Sequence, residues 1–557
     1  MKGKIGVLLF LGGLRAFALD FYDPGDPALL AAELVENMTD EQALAQTLMF
    51  GWGDRSNGTL PNPLILDWIR QRRIGGVKVF GWNTGNTQDL ARTIGIFQAE
   101  AGKNPFRIPL LVATDQEGGW IRHVKGATSQ TPGNMALGAS GYVIDAYWSG
   151  FYIGRELAVL GINMNFAPVV DLYTNRDSLL IGPRSFGVDP VQAGLLGAAF
   201  MKGQQETGVI STAKHFPGHG DTALDSHGVL PQMMSTLDML WDRELIPYRL
   251  MIREKVPVIM TGHIAFPNTP AGGAPASLSP WFLGDLLRDR LGFQGVVITD
   301  DLMMNGAVLS AGNLSMAGKQ ALAAGNDILL FSRTPALADA IWTRLVTGMR
   351  QEPALRDRVR SAAGRVILLK LLFLRGEKAV PLIPDLERAQ TNLPDPEGTA
   401  FFLDLAARSV TIVKDEAVVP LDPEKAGKVL LAARSYAEDF FKAGRAAYPS
   451  AETYRYTLSG GYDLVRRAQR ADTVIFCISS EEDLKPLGAL RDLGPRVVVF
   501  SVLNPGYLDS ALWADGALAV YSYAAPSFVA GFSALLGRIP GPGVLPFSLG
   551  ESRGTSP

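Results

Sequence analysis

Lys214-His215-Phe216-Pro217-Gly218-His219-Gly220-Asp221-Thr222 is the stretch around which the fold is organised, and it directly follows an apolar run at 209–213. The run has the composition of a buried strand, and the proline and two glycines behind it exclude a helix. Residues 214–227 also hold three of the chain's five histidines. We therefore expect Lys214 and His215 where a strand ends and a loop begins, a place from which titratable groups reach substrates.

Seven other apolar runs repeat this arrangement along the chain. Helical segments separate the runs, and a capping box at Thr39 and Gln42 predicts the start of one helix. Strands that alternate with helices pair in parallel, and eight of them over roughly 300 residues fit a (β/α)8 barrel. A doubly wound open sheet is the alternative. The eight runs are 48–52, 76–80, 110–114, 162–170, 209–213, 256–261, 295–299 and 327–331.

The polar residues at the ends of these runs favour the barrel. Five successive runs, from the third to the seventh, are followed by Asp115, Asp171, Lys214, His263 and Asp300. In a barrel the carboxyl ends of all strands meet on one face, where active sites lie, whereas an open sheet concentrates its site at one switch point. Convergence from five strands therefore predicts a TIM barrel with its functional site on that face.

Composition excludes several classes of function. The 557 residues are 47% hydrophobic and 19% charged, which is the balance of a packed globular protein. With a net charge of −3 and no basic run, nothing predicts a nucleic-acid partner. The single cysteine, Cys477, excludes an intrachain disulfide and a cysteine-based metal cluster. No set of residues demands a metal ion or a cofactor.

The N-terminus has the pattern of a targeting segment. Lys2 and Lys4 precede an apolar run at 5–14, and Ala16-Phe17-Ala18 offers a cleavage site. We therefore expect a signal peptide at 1–18 and an extracytoplasmic protein, periplasmic or secreted. An uncleaved N-terminus on a cytoplasmic protein is the alternative. The run is too short to span a bilayer, and no later segment predicts a transmembrane helix.

A linker divides the chain into two predicted domains. Residues 375–399 combine prolines with charges, which is linker composition, and they separate a barrel domain at 25–374 from a second domain at 400–557. In the second domain, apolar runs alternate with helical segments, which predicts an α/β/α sandwich. It contains no histidine, so its expected role is packing and stability.

Two arrangements carry chemistry. In Asp225-Ser226-His227, a carboxylate bonded to one imidazole nitrogen would fix the tautomer and make the other nitrogen a better base. Asp300 and Asp301 end the seventh run, and because side chains alternate along a strand, only one of them can face the barrel axis. That one suits a nucleophile, while the other is expected to cap the next helix. A retaining glycosidase needs a nucleophile and an acid/base of this kind.

These motifs together resemble the family-3 glycoside hydrolases that are β-N-acetylglucosaminidases. The signature is the stretch 214–222 followed by Asp225-Ser226-His227. The resemblance is strong over 45–370 and weaker in the second domain. It departs at 176–180, where the Asn-Pro that usually precedes Ile-Gly is missing, so we expect a differently shaped sugar-binding loop. Four more motifs match in chain order: Asp115-Gln116-Glu117-Gly118-Gly119, Ile181-Gly182-Pro183-Arg184-Ser185-Phe186-Gly187, Met260-Thr261-Gly262-His263-Ile264 and Thr299-Asp300-Asp301-Leu302-Met303-Met304.

The resemblance implies a role for each matching residue. Asp300 matches the nucleophile, His227 the acid/base and Asp225 the partner of that histidine. The family's fold is the barrel, followed in two-domain members by an α/β/α sandwich. Its substrates are terminal, non-reducing β-linked N-acetylglucosamine units, in many members from peptidoglycan fragments such as muropeptides. The residues that match sugar-binding positions are Asp115, Arg184, Lys214, His215, His263 and Met304.

The sequence thus predicts a retaining exo-β-N-acetylglucosaminidase, a monomer that takes a small carbohydrate substrate and needs no cofactor or metal. A phosphorylase acting on the same sugar, or a β-glucosidase on the same fold, is the alternative, since some relatives use phosphate instead of water. A non-catalytic sugar-binding protein would be expected to lack Asp300 or His227, and both are present.

Overall fold

Eight parallel strands close into a barrel in the first part of the chain. The structure, a computed structural model, describes residues 19–550 apart from 55, 57, 59, 179, 223–227 and 459–460. Within these residues the barrel strands, labelled β1 to β8, are Leu48–Gly51, Gly76–Val79, Leu111–Thr114, Met164–Asn165, Ile210–Phe216, Val258–Thr261, Val296–Thr299 and Leu329–Phe331. Each pairs in parallel with the next, and β8 pairs with β1. A bridge between Ile298 and Ile328 completes the circle, which confirms the (β/α)8 barrel and excludes the open sheet.

Two strands differ in extent from the predicted runs. β5 continues through Phe216, so Lys214 and His215 belong to the strand and the loop begins at Pro217. β4 has only two residues. Pro168 has no N–H and interrupts the run at 162–170, and pairing with β5 resumes at Val169, which bridges to Lys214.

Alternation along the strands separates the barrel interior from its helix-covered outside. The outward side chains pack under the helices and include Phe50, Val77, Val112, Ile259, Val297 and Phe331. The inward side chains form a second cluster: Met49, Leu111, Ala113, Met164, Phe166, Ile210, Val258, Met260, Val296, Ile298, Ile328 and Leu330. Toward the carboxyl ends the inward positions become polar, and they carry Lys78, Asp115, Lys214 and Asp300.

Helices cover the barrel and close its amino end. The predicted capping box is confirmed: Gln42 N donates to Thr39 Oγ1 at 3.2 Å, and Thr39 N donates to Gln42 Oε1 at 2.9 Å. The α-helices of this part are Pro27–Glu36, Asp40–Gln46, Pro63–Asp67, Thr87–Ala101, Asn134–Ser140, Val143–Val159, Pro190–Glu206, Leu237–Asp242, Leu245–Arg253, Asn305–Ala311, Leu314–Ala324, Ala340–Gln351 and Pro353–Phe373. Two π-helices, Trp68–Arg72 and Trp281–Arg290, and three 3-10 turns, Gly81–Asn83, Gly182–Arg184 and Ala276–Leu278, complete the described set.

A buried carboxylate ties the amino end of the barrel together. Asp327, just before β8, has no exposed surface. Its Oδ1 accepts from Arg358 at 2.8 Å and Arg365 at 2.9 Å, and its Oδ2 accepts from Arg288 at 2.8 Å and from Val297 N at 2.9 Å. Because these donors come from the π-helix at Trp281–Arg290, from β7 and from the helix at Pro353–Phe373, one side chain joins three elements.

A second sheet follows the barrel. Its strands, β9 to β14, are Thr411–Asp415, Val429–Ala433, Glu452–Arg455, Thr473–Ile478, Arg496–Ser501 and Gly516–Ala519. They lie in the order β9-β14-β13-β12-β10-β11, and β9 alone is antiparallel to its neighbour. The helices of this part are Leu386–Thr391, Pro396–Ser409, Ala437–Ala447, Gly461–Ala468, Leu484–Gly488 and Ala525–Leu535, with 3-10 turns at Glu481–Asp483 and Pro505–Ala511.

Both faces of the second sheet are buried. Leu431, Ile475 and the buried Cys477 belong to the cluster on one face, and Leu430 and Phe476 to the cluster on the other. Helices on both faces confirm the α/β/α sandwich. The second of these clusters also contains Met135, Ala136, Ala139 and Tyr173 from the barrel part, so the two parts of the chain share one apolar interface.

No helix in the described part of the chain combines the length and the apolar composition needed to cross a bilayer.

Candidate active site

A cavity of about 220 Å³ opens at the carboxyl end of the barrel. Six of the predicted site residues line it: Asp115, Arg184, Lys214, His215, Asp300 and Met304. The remaining lining residues are Lys78, Phe80, Glu117, Ile121, His123, Phe166, Leu180, His219, Met260, Asp301 and Leu330. A larger, apolar groove of about 350 Å³ at the amino end, beside Phe293 and Leu372, contains none of the predicted residues.

Asp115 is held between two lysines at the end of β3. Lys214 Nζ lies 2.6 Å from Oδ1, and Lys78 Nζ lies 2.5 Å from Oδ2. Burial works to raise the pKa of Asp115, but the ammonium groups of Lys214 and Lys78 outweigh it and keep that pKa well below its usual range. Asp115 is therefore an ionised, immobilised acceptor. Each of its oxygens keeps a second lone pair for a substrate hydroxyl.

Glu117 and Arg184 form the next part of the wall. Arg184 Nε and Nη2 each lie 2.8 Å from a different oxygen of Glu117, in a bidentate pair, and Lys214 Nζ lies 2.6 Å from Oε1. Burial works to raise the pKa of Glu117, and the charges of Arg184 and Lys214 reverse that shift. A bidentate guanidinium has a fixed orientation, so Arg184 is rigidly aimed along the cavity wall.

Lys78 and His123 form a pair that sequence reasoning missed. Lys78 is buried, and its Nζ lies 3.2 Å from His123 Nδ1. Because an ammonium group can only donate, Nδ1 must accept, and the ring proton of His123 lies on Nε2. Burial and the charge of Lys78 lower the pKa of His123 to about 4. Two features of the sequence could have indicated this pair. Lys78 is a lysine between Val77 and Val79 in a predicted strand, and His123 is a histidine outside the recognised signature.

Asp171 orients His215, near the end of β5, and His219, in the loop that follows. Its Oδ2 lies 2.7 Å from His215 Nδ1, and its Oδ1 accepts from His219 N at 2.7 Å. The other ring nitrogen of His215 lies 3.4 Å from Arg184 Nη2. Burial and the neighbouring His215 lower the pKa of His219 to about 4. The sequence identified Asp171 as a polar strand end but did not assign it this supporting role.

The two adjacent aspartates after β7 both border the cavity but have different hydrogen-bond partners. Asp300 continues the inward positions of β7 and lies on the cavity floor, where its Oδ1 accepts from Asp301 N at 2.7 Å. Asp301 Oδ1 instead accepts from Met303 N and Ser332 N, both at 3.0 Å. The expectation that one of the pair caps the next helix is wrong, because the helix at Asn305–Ala311 has Met304 at its N-cap.

His263 stands behind the cavity and not in its wall. It is fully buried, its Nδ1 lies 2.7 Å from Ser277 Oγ, and its Nε2 donates to Asp301 O at 3.0 Å. With both ring nitrogens engaged in the protein, it has no atom to offer a substrate. In this structure His263 supports the turn that follows Asp300.

The predicted acid/base pair, Asp225 and His227, lies outside the described residues, as does the predicted signal peptide at 1–18.

Asp300 differs from the other inward carboxylates of the cavity in its partners. Asp115 and Glu117 each pair with two cationic side chains, whereas no lysine or arginine of the described residues pairs with Asp300. Burial works to raise the pKa of Asp300, but His215, His263 and the amide of Asp301 outweigh it and lower that pKa. Among the described residues that line the cavity, Asp300 is thus an ionised carboxylate outside any lysine or arginine ion pair. No group of histidine, cysteine, aspartate or glutamate side chains in the described residues has the arrangement of a metal site.

Comparison with known proteins agrees with this geometry. Residues 45–367 match the N-terminal domain of glycosyl hydrolase family 3. The chain is 33% identical over 428 residues to β-hexosaminidase A of Pseudoalteromonas piscicida, which covers 69% of either protein. It is also 33% identical over 384 residues to a β-N-acetylglucosaminidase/β-glucosidase of Cellulomonas fimi, a match that covers 66% of this chain and 65% of that protein.

Among solved structures, a family 3 enzyme resembles both parts of the chain. It is a family 3 β-N-acetylglucosaminidase from Paenibacillus sp. str. FPU-7, with a TM-score of 0.82 and 28% sequence identity. The alignment covers 92% of this chain and 99% of that one. The likeness therefore includes the barrel and the second sheet.

Proposed function

The chain belongs to glycosyl hydrolase family 3 and is a glycoside hydrolase, and from that premise we propose that it is a retaining exo-β-N-acetylglucosaminidase. It releases terminal, non-reducing β-linked N-acetylglucosamine by double displacement. Asp300 is the nucleophile, His227 the acid/base and Asp225 the partner that orients His227. Asp115, Arg184, Lys214 and His215 bind the sugar.

The observation that carries this proposal is the contrast between Asp300 and the carboxylates around it. A nucleophilic carboxylate must be ionised and must not be locked into an ion pair. Asp300 satisfies both conditions, since its pKa is lowered and its carboxylate accepts from the backbone amide of Asp301 instead of pairing with a lysine or arginine of the described residues. Asp115 and Glu117 are already neutralised by Lys78, Lys214 and Arg184, and such fixed groups suit the binding of hydroxyls.

In the first step, a carboxylate oxygen of Asp300 bonds to the anomeric carbon while the bond from that carbon to the leaving oxygen breaks. His227 gives its proton to the leaving oxygen. In the second step, water attacks the anomeric carbon and gives a proton back to His227, and the bond to Asp300 breaks. Two inversions leave the product in the β configuration.

The choice of sugar is supported by the relatives. The Pseudoalteromonas protein is named a β-hexosaminidase, and the Paenibacillus structure is a β-N-acetylglucosaminidase. The Cellulomonas protein carries both β-N-acetylglucosaminidase and β-glucosidase in its name, so the glucoside belongs in any assay. That the natural substrates are peptidoglycan fragments rests on the family resemblance, and release of N-acetylglucosamine from purified muropeptides tests it.

The first experiment is release of p-nitrophenol from its β-N-acetylglucosaminide and its β-glucoside, with and without phosphate, while NMR records the anomer formed. We expect a preference for the acetamido sugar, no acceleration by phosphate and initial formation of the β anomer. A strong phosphate acceleration would make the protein a phosphorylase, and initial formation of the α anomer would contradict the retaining mechanism. Absence of turnover on the acetamido sugar would overturn the proposal.

A further inference from the structure

The second sheet reaches toward the active site through a buried hydrogen-bonded pair. Asn504, which follows β13, donates from Nδ2 to Tyr173 Oη at 2.9 Å. Tyr173 Oη in turn donates to Arg176 O at 2.9 Å, and Asn504 Oδ1 accepts from Gly506 N at 2.9 Å. Asn504 is 3% exposed and Tyr173 is fully buried. Every polar atom of the two side chains is therefore satisfied away from water.

This pair borders the segment that carries Arg184. We call residues 180–188 the arginine loop. Tyr173 N donates to Gly187 O at 2.9 Å near the end of the loop. Gly182, in the turn that contains Arg184, packs against Asn504, since a Cβ at this glycine would lie 3.4 Å from Asn504 Nδ2.

The last described part of the chain also contacts the arginine loop. Val188 N donates to Pro546 O at 3.1 Å. The ring of Phe547 lies 5.3 Å from that of Tyr173 in an edge-on contact, and the guanidinium of Arg176 lies 4.1 Å from the Phe547 ring. Two separate segments of the C-terminal part thus hold the same stretch of the barrel.

We propose that Asn504 is a positioning residue for the sugar-binding site, which acts through Tyr173 on the arginine loop and so on Arg184. This inference rests on the proposed function, because it takes Arg184 as a substrate-binding residue. A bidentate pair tolerates little displacement, and a misplacement of about 1 Å at a binding group can cost a factor of about 10² in rate. The second sheet therefore contributes to substrate binding, beyond the packing role expected from its sequence.

The kinetic test compares Asn504→Ala, Tyr173→Phe and the double variant. We expect each single variant to raise KM for the p-nitrophenyl N-acetylglucosaminide about tenfold, with kcat changed less than about threefold. Since both remove the same hydrogen bond, the double variant should be no worse than the poorer single variant. If the increases in KM of the two single variants were additive in the double variant, Asn504 would not act through Tyr173.

The matched control is Arg408→Met, which removes another polar contact between the two parts of the chain. Arg408 Nη2 and Nε pair with Asp145 at 2.8 and 3.1 Å, away from the arginine loop. We expect this variant to lower the melting temperature and to leave KM unchanged. If Arg408→Met raised KM as much as Asn504→Ala, the effect would be general loosening of the interface, and the proposal would fail.

Hydrogen exchange separates this proposal from the proposed function. In Asn504→Ala, amide exchange over 180–188 should rise at least about tenfold, while exchange in the helix at Val143–Val159 should not change. Exchange over 180–188 equal to that of the wild type would overturn the inference whatever the substrate is. An inactive wild type whose arginine loop still loosens in Asn504→Ala would instead overturn the proposed function alone.

Discussion

Two aspartates at opposite ends of the barrel differ sharply in the groups that surround them. At the amino end, Asp327 accepts hydrogen bonds from three arginines and a backbone amide. At the carboxyl end, Asp300 accepts from a single backbone amide and pairs with no lysine or arginine of the described residues. Asp327 joins three elements of the fold, whereas Asp300 faces a cavity.

The difference shows how one kind of side chain serves stability or chemistry. The four donors around Asp327 hold its carboxylate firmly in place and occupy all of its lone pairs. A carboxylate that is ionised but unpaired is costly to bury, and such a cost is expected where a reaction uses the group. On the proposed function, the amino end is therefore the structural end of the barrel and the carboxyl end its reactive end.

The largest effect is expected at Asp300. Asp300→Asn keeps the size of the side chain and an acceptor for Asp301 N, but it removes the nucleophilic charge. We expect kcat/KM on the aryl N-acetylglucosaminide to fall by at least about three orders of magnitude, with an unchanged melting temperature. A variant that keeps more than a few per cent of the wild-type rate would remove Asp300 from the nucleophile's role.

The acid/base is the next strongest test of the reactive end. In His227→Ala, substrates with poor leaving groups need the missing proton, whereas activated aryl glycosides do not. We expect a loss of at least about a hundredfold on N-acetylglucosamine disaccharides and less than about tenfold in the first step on a dinitrophenyl glycoside. Equal losses on both substrates would contradict the assignment of His227.

Asp327→Asn should have the opposite effect: the protein should lose stability and keep its catalytic activity. Removing the charge leaves Arg288, Arg358 and Arg365 without their shared anion, and we expect the free energy of unfolding to fall by about 3 kcal/mol in urea titrations. The kcat/KM value should stay within about twofold. The control is Asp357→Asn, since Asp357 is 71% exposed and pairs with Arg356 at 3.6 Å. A large catalytic loss with wild-type stability would break the comparison.

Lys370 offers a smaller test of how charge is buried in the helix that closes the amino end. It is fully buried, donates to Gln46 Oε1 at 2.8 Å and pairs with no carboxylate of the described residues. Burial lowers its pKa from 10.5 to about 7. Between these two values the unfolded chain binds a proton that the folded protein does not, so stability should rise with pH across that window and carry the full penalty below it.

Lys370→Met removes this penalty. We expect the variant to gain about 2 kcal/mol of unfolding free energy at pH 7 and to lose the rise in stability between pH 7 and pH 10. The measurement is urea denaturation of both proteins at several pH values. If the free energy of unfolding of the variant changed with pH in the same way as that of the wild type between pH 7 and pH 10, Lys370 would not titrate in that window.

The smallest effect is expected at Lys78, in the wall of the reactive end. In Lys78→Met, Asp115 is still paired with Lys214 and so stays ionised and in place. We therefore expect KM to rise only about tenfold. Because the ammonium group that faces Nδ1 is gone, the pKa of His123 should rise from about 4. The surrounding charges that remain are those of Asp115, Glu117 and Lys214.

NMR titration of the imidazole signals measures that shift, and His123→Gln identifies the His123 signal. Lys103→Met is the control, because Lys103 pairs with Glu100 at 2.8 Å but is 69% exposed. An unchanged His123 titration in Lys78→Met would show that the charge of Lys78 does not lower the pKa of His123.

The sequence predicted those features that depend on local patterns. The capping box needs only Thr39 and Gln42, three positions apart, and the strand runs follow from apolar composition. The motifs of the cavity wall were recognised because each is continuous in sequence. The closed barrel followed from the repetition of these signals.

Features that depend on long-range contact were missed or misplaced. Lys78 lies in an apolar run, and its importance appears only when Asp115 and His123, from other segments, are placed against it. His263 was selected because its motif matches, but the fold turns both of its nitrogens into the protein. The contact of Asn504 with Tyr173 spans 331 positions of sequence, so no local pattern could have indicated it.

The pairing of Asp115 with two lysines has a consequence for inhibitor chemistry. An iminosugar that carries a positive charge near the anomeric position would find Asp115 and Glu117 already neutralised by Lys78, Lys214 and Arg184. Of the described inward-facing carboxylates, Asp300 is the one outside a lysine or arginine ion pair, so it can still attract such a cation. The affinity of cationic inhibitors should therefore depend on where the ring nitrogen is placed relative to Asp300. Moving the nitrogen toward Asp115 and Glu117 should increase the affinity little.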